Sequence, residues 1–130
     1  MTLIEALNKP QRRRRRPPPH DDTARICWLM EAATAAAFAV LVDELRAPSR
    51  RAPEAAFARQ CAMYLAHVVL GLRYSEIGRL FHRDRTTAAY ACTLVEERRD
   101  DPAIDRVLHT LESLCGDLAR GMLARPQVRP

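Results

Sequence analysis

The chain has 130 residues, with 48% hydrophobic content, enough for one domain with a modest core. Glycine is scarce and the apolar residues are mainly alanine and leucine, a composition that favours helices over sheet and holds no run long enough to span a bilayer. The net charge of +5 belongs to residues 1–20, where Lys9 and Arg12 to Arg16 stand against Glu5 alone; the rest is balanced.

Residues 1–20, with five consecutive arginines followed by three prolines, are expected to be a disordered basic tail. The arginines read equally as non-specific phosphate contacts or as a solubilising run. Asp21 and Asp22 are N-cap types for a helix beginning at Thr23. Ile26, Met30, Ala33, Ala37 and Val40 carry its helical spacing, which reaches Arg46 with a break near residues 39–41. "APSRRAP" (47–53) is a loop, and Pro53 suits the first turn of the next helix. That helix buries Ala58, Ala62, Leu65 and Val69 and stops at Gly71.

Ser75 is expected to cap a short helix that buries Ile77, Leu80 and Phe81. "HRD" makes a tight turn, with Asp84 as N-cap of a helix running to about Arg99, whose inner face is Ala88, Ala91, Cys92 and Val95. Asp101-Pro102 starts a last helix with Ile104, Leu108, Leu111 and Leu114/Cys115 inward, fraying from Gly121. The expected fold is all-α, a compact bundle of about five helices over residues 21–120, with tails at 1–20 and 121–130.

Charge is segregated inside this body. Residues 46–85 hold eight arginines and three acids, whereas 96–117 hold seven acids and three arginines. One end should be positive and the other negative, a dipole that orients a domain on a polyanion. The run "EERRDD" (96–101) reads as a solvated face. The cysteines at 27, 61, 92 and 115 form no C-x-x-C pair and sit in apolar helical contexts, so they read as reduced core residues rather than zinc ligands or disulfides. His82 has no ligand partners at usable spacing. No phosphate loop and no Ser/His/Asp, Cys/His or paired-carboxylate arrangement suggests an enzyme or a cofactor.

A short helix, a three-residue turn and a longer helix make a helix-turn-helix. Arg85 and Thr86 fall on the first turn of the second helix, where such domains meet base edges in the major groove. Ala89 reads as lying opposite the inner face, allowing close approach. Arginine can pair with guanine, a carboxylate can accept from cytosine, and a threonine methyl can meet a thymine methyl. Thr87 and the free N–H groups of the helix start can hold a phosphate.

"ARQCAMYLAHVVLGLRYSEIGRLFHRDRTTAAYAC" (58–92) resembles the C-terminal DNA-binding domain of the bacterial replication initiator DnaA, a Trp-repressor-like helix-turn-helix fold. The blocks A-R-Q-x-A-M-Y-L-A, S-E-I-G-x-x-F, R-D-x-T-T and A-C occur in order. The chain looks most like small stand-alone proteins of this kind. The resemblance implies a sequence-specific binder of double-stranded DNA at initiator-type boxes, regulating replication initiation or transcription in the bacterial cytoplasm at the nucleoid. It implies Arg59 in the minor groove, Asp84, Thr86 and Thr87 at bases and phosphate, and Gln60 and Ser75 at the backbone with Arg73 nearby; Arg83 and Arg85 join them by position. The chain departs from the pattern at Arg85, where histidine is usual, at Ala88 and Ala89, where bulkier residues are usual, and in a turn one residue shorter. The contrasting reading is a protein-interaction module that keeps the fold without reading DNA, its partner received by the acidic end. Either a monomer or a weak dimer through the broad first helix fits.

Overall fold

A computed structural model describes residues 21–47 and 53–123. The expectations for the arginine tail, for Arg50 and Arg51 in the loop, and for residues 124–130 lie outside the described residues. Six helices are described: α1 (Asp22–Ala37), α2 (Val42–Arg46), α3 (Pro53–Leu70), α4 (Tyr74–Phe81), α5 (Arg85–Arg98) and α6 (Pro102–Leu123). Helix α3 is central, and each of the other five packs against it.

The expected first helix is two. Asp21 alone caps it, its carboxylate accepting from the Thr23 N–H at 3.0 Å, so that Asp22 is already helical. The helix ends at Ala37 because Ala39 adopts a left-handed conformation (φ 54°), and the Val40 N–H turns back to the Ala35 carbonyl at 2.9 Å. Its inward residues are Ile26, Cys27, Met30, Glu31, Thr34 and Ala35, and Ala37 is exposed. The buried Glu31 accepts from Arg46 Nε at 2.9 Å, while the same guanidinium lies 3.4 Å over the Trp28 ring and donates to the Trp28 carbonyl at 2.7 Å. Leu45 of α2 is thereby pinned against Ala35 and Ala58.

Two larger apolar clusters flank α3. One joins Ile26 and Met30 of α1 to Leu65, Val95, Leu108 and Leu111. The other packs Met63 and Ala66 on Ile77, Phe81, Ala88 and Ala91, so the alanines of α5 let the helix-turn-helix sit close on α3. Each fully buried aliphatic side chain of these clusters contributes about 1.5–3 kcal/mol. Gly71 stops α3 with φ +67° and donates to the His67 carbonyl at 3.0 Å.

Three further expectations need correction. Arg73, not Ser75, is the N-cap of α4. Glu76 takes the Arg73 backbone N–H at 3.3 Å and its Nε at 3.0 Å, and Tyr74 stacks on His67 at 4.7 Å, so Tyr74 is drawn into the first turn. The last helix does not fray at Gly121 but runs to Leu123, held by buried Ala119 and by Met122 against the larger cluster, and Leu114 faces outward. "EERRDD" is not simply solvated. Arg99 turns inward, donating to Asp105 at 2.6 Å, to Tyr64 Oη at 3.0 Å and to Glu112, while Tyr64 donates to Glu96 at 2.9 Å. Burial opposes the charge of Arg99, but these three acceptors outweigh it and raise its pKa. The cluster ties α5, α6 and α3 together.

Candidate nucleic-acid interface

The α4–turn–α5 unit is built around Gly78. Its position in α4 is so close to the turn that a β-carbon there would lie 2.5 Å from the Arg83 carbonyl oxygen. Only glycine admits that approach, and the Arg83 N–H closes the turn onto the Gly78 carbonyl at 2.7 Å. His82 takes the left-handed position that ends α4 (φ 55°).

Arg83, Asp84, Arg85, Thr86 and Thr87 follow as a contiguous set at the start of α5. Asp84, Arg85, Thr86 and Thr87 are all exposed, and Arg83 is partly so. Asp84 is the N-cap residue by backbone (φ −69°, ψ 153°), yet its carboxylate makes no capping hydrogen bond. The first-turn N–H groups of α5 therefore keep their donor capacity, and the Asp84 carboxylate stands beside them as an outward acceptor. Arg73 and Ser75 are exposed at the opposite end of α4. Arg73 and Ser75, and Arg83 to Thr87, thus lie at two places on this unit, whereas Arg59 and Gln60 are on α3.

Arg59, expected in the minor groove, lies inward in this structure. It is only 8% exposed, on the second turn of α3, and points inward. Its Nε donates to the Leu45 carbonyl at 2.7 Å, and Nη2 donates to Ala47 at 2.9 Å and Glu44 at 3.4 Å. These are the C-terminal carbonyls of α2, whose partial negative charge suits a guanidinium. Desolvation, then repulsion from Arg83, lowers the Arg59 pKa, with Glu31 acting in the opposite sense. Arg83 donates from Nη2 to that same Ala47 carbonyl at 3.1 Å, so α2, α3 and the turn before α5 meet on one oxygen. Gln60 is half-buried beside Arg59. With Arg46 and Arg59 turned inward, the exposed arginines between residues 46 and 85 among the described residues are Arg73, Arg79 and Arg85, with Arg83 partly exposed.

Ala89 is half-buried rather than outermost on α5; the large exposed side chain there is Tyr90, 64% accessible, which the reading of small residues passed over. The signal was present, since Tyr90 follows Thr86 by four residues and shares its side of the helix.

Five helices packed on a central α3, with the polar first turn of α5 presented outward across a three-residue turn, define a helix-turn-helix domain. The family described as the bacterial DnaA protein helix-turn-helix matches residues 29–95, and the chain belongs to it. Two curated relatives, the chromosomal replication initiator proteins DnaA of Clavibacter sepedonicus and of Clavibacter michiganensis subsp. michiganensis (strain NCPPB 382), are each 45% identical over 71 residues, 51% of this chain. The match spans only 15% of the length of either relative. A solved crystal structure of a DNA replication initiation factor superposes with TM-score 0.66 at 27% identity, covering 75% of this chain and 30% of that one.

Proposed function

We propose that this chain binds double-stranded DNA sequence-specifically at initiator-type boxes and regulates replication initiation or transcription at the nucleoid, without hydrolysing nucleotide itself. The observation that carries the reading is the exposed run Asp84 to Thr87 at the N-cap and first turn of α5, with Arg83 partly exposed before it, in a domain of the DnaA helix-turn-helix family. The first turn enters the major groove. Arg85 offers a guanidinium to guanine, Asp84 an acceptor to cytosine N4, and Thr86 a methyl to thymine. Thr87 and the free N–H groups hold phosphate, with Arg83 beside them; Arg73 and Ser75 meet the backbone at the far end of α4, with Gln60 nearby.

The resemblance supports Arg59 as a minor-groove residue, but that role requires its guanidinium to exchange three carbonyl oxygens for DNA. The geometry supports a different part for it, holding the end of α2 against the turn so that Arg83 and the start of α5 keep their places. Exposed Leu29 and Leu41 on and after α1 favour, at most, a weak dimer in addition.

Fluorescence anisotropy of the full chain tests the reading. It is titrated at about 0.15 M salt with a duplex carrying an initiator-type box and with a scrambled duplex, so that exposed charge contacts are screened. Preference for the box supports it. Equal binding to both points to the arginine tail and counts against sequence reading. No binding at all favours a protein partner.

A further inference from the structure

We infer that Tyr90 is a specificity-determining side chain of this domain, contacting a base edge about two base pairs beyond the one met by Thr86. The inference rests on the DNA-binding reading above and extends it to a residue that neither the motif nor the resemblance singled out.

The buried residues of α5 are Ala88, Ala91, Cys92 and Val95. At about 100° per residue, the direction opposite their centre is occupied by Thr86, Tyr90, Thr93 and Glu97, each within about 30° of it. Arg85, Thr87 and Ala89 lie on the flanks. A helix that enters the major groove end-on lets all first-turn side chains reach the bases. Beyond that turn only the outermost line faces the groove floor, while the flanks face the phosphate walls. Tyr90 is the residue of this line on the second turn. It is 64% exposed, and its hydroxyl takes part in no hydrogen bond among the described residues. A tyrosine is a rigid amphipathic contact, with an apolar ring for a thymine methyl and a hydroxyl for a base-edge acceptor or donor.

The line also shows where contact ends. The Thr93 hydroxyl is turned back to the Ala89 carbonyl at 3.2 Å, and Glu97 is an exposed acid that a phosphate wall would repel. Thr86 and Tyr90 are therefore the two outermost residues free to face DNA. Four residues of helix separate them by about 6 Å, close to two base-pair steps of about 3.4 Å.

The test begins with selection of a preferred duplex from a random pool by the full wild-type chain. Affinities of wild type, Thr86→Ala, Tyr90→Ala and Tyr90→Phe are then measured on that duplex, on each single base-pair change of it and on a scrambled duplex. Tyr90→Ala should weaken the preferred duplex about tenfold and the scrambled one less than twofold. It should flatten the preference at a position about two base pairs from the one flattened by Thr86→Ala. Retention by Tyr90→Phe assigns the contact to the ring, and loss assigns it to the hydroxyl; both support the inference. Equal weakening of all duplexes would make Tyr90 a backbone contact and overturn it, as would an unchanged preference at every position. Thermal melts confirm that the variants fold. If wild type itself selects no sequence, the parent reading fails; if wild type selects and Tyr90→Ala selects identically, only this inference fails.

Discussion

Replacing Gly78 by alanine should destabilise the protein even though it replaces a poor helix former by the best one. In an exposed helix interior the change would gain about 0.8–1 kcal/mol. Here the new methyl carbon would lie 2.5 Å from the Arg83 oxygen and 3.1 Å from the Arg85 nitrogen, against an ordinary contact of 3.4–4 Å. Every atom in its way is backbone, and the turn is already closed by the 2.7 Å bond from the Arg83 N–H to the Gly78 carbonyl, so no flexible side chain can yield. Overpacking costs about 1–3 kcal/mol, and a 2.5 Å approach to backbone that cannot yield belongs at the upper end, about 2–3 kcal/mol. With the propensity gain subtracted, a net loss near 1–2 kcal/mol is expected, which lowers the melting temperature by roughly 5–15 °C for a domain of this size. Gly121 provides the control, since nothing lies within 4 Å of its β-carbon position in α6. Gly121→Ala should be neutral or stabilising by a few tenths of a kcal/mol, up to about 1. Circular-dichroism melts and urea titrations of both variants check this. A Gly78→Ala protein as stable as wild type, or the two variants shifting together, would refute the packing argument. Where Gly78→Ala still folds, displacement of the start of α5 should also reduce its preference among duplexes.

Arg59→Lys should cost about 2 kcal/mol in urea titrations without any DNA, because a single ammonium cannot serve the carbonyls of residues 44, 45 and 47 together; a neutral result would mean that the arginine is not holding α2. Arg99→Ala should cost about 2 kcal/mol, and a double-mutant cycle with Tyr64→Phe should show coupling above about 0.5 kcal/mol, whereas strict additivity would deny the cluster. Desolvation pushes the Cys61 thiol up to about 12 and those of Cys92 and Cys115 up to about 11. Because these folded values exceed that of an unfolded thiol, their contribution is complete below about pH 8.5 and is lost as pH rises toward 11–12. Unfolding midpoints should therefore fall from pH 8 to pH 10, and a chromogenic disulfide reagent at pH 8 should leave all four buried thiols unreacted until denaturant is added. Rapid labelling of the native protein would contradict this.

The parts of the fold carried by local pattern were legible in the sequence. The spacing of Ala88, Ala91, Cys92 and Val95, the helix-stopping Gly71 and the position of Asp84 before α5 all depend on residues within a few positions of each other. What escaped depends on distant partners. Arg59 looks like any helix-surface arginine until the end of α2, twelve to fifteen residues earlier, supplies carbonyls for it. Arg99 looks solvated until Tyr64 of α3 and Glu112 of α6 arrive. Arg73 displaced Ser75 as cap because Glu76 and the His67–Tyr74 stack outweighed the intrinsic preference of serine. At the interface the run Arg83 to Thr87 was readable from type and spacing. Tyr90 was not, because attention to Ala89 as a point of close approach misjudged its angle on the helix by one residue.

The most direct test of the account is the specificity ratio of Arg85→Ala, the affinity for the preferred duplex divided by that for a scrambled one, measured against wild type at the same salt. If the first turn of α5 reads bases, this ratio falls by the equivalent of about 1–3 kcal/mol, with the loss concentrated at one base pair. If both duplexes weaken equally and the ratio stands, Arg85 is a phosphate contact, and reading of sequence by the start of α5 is contradicted.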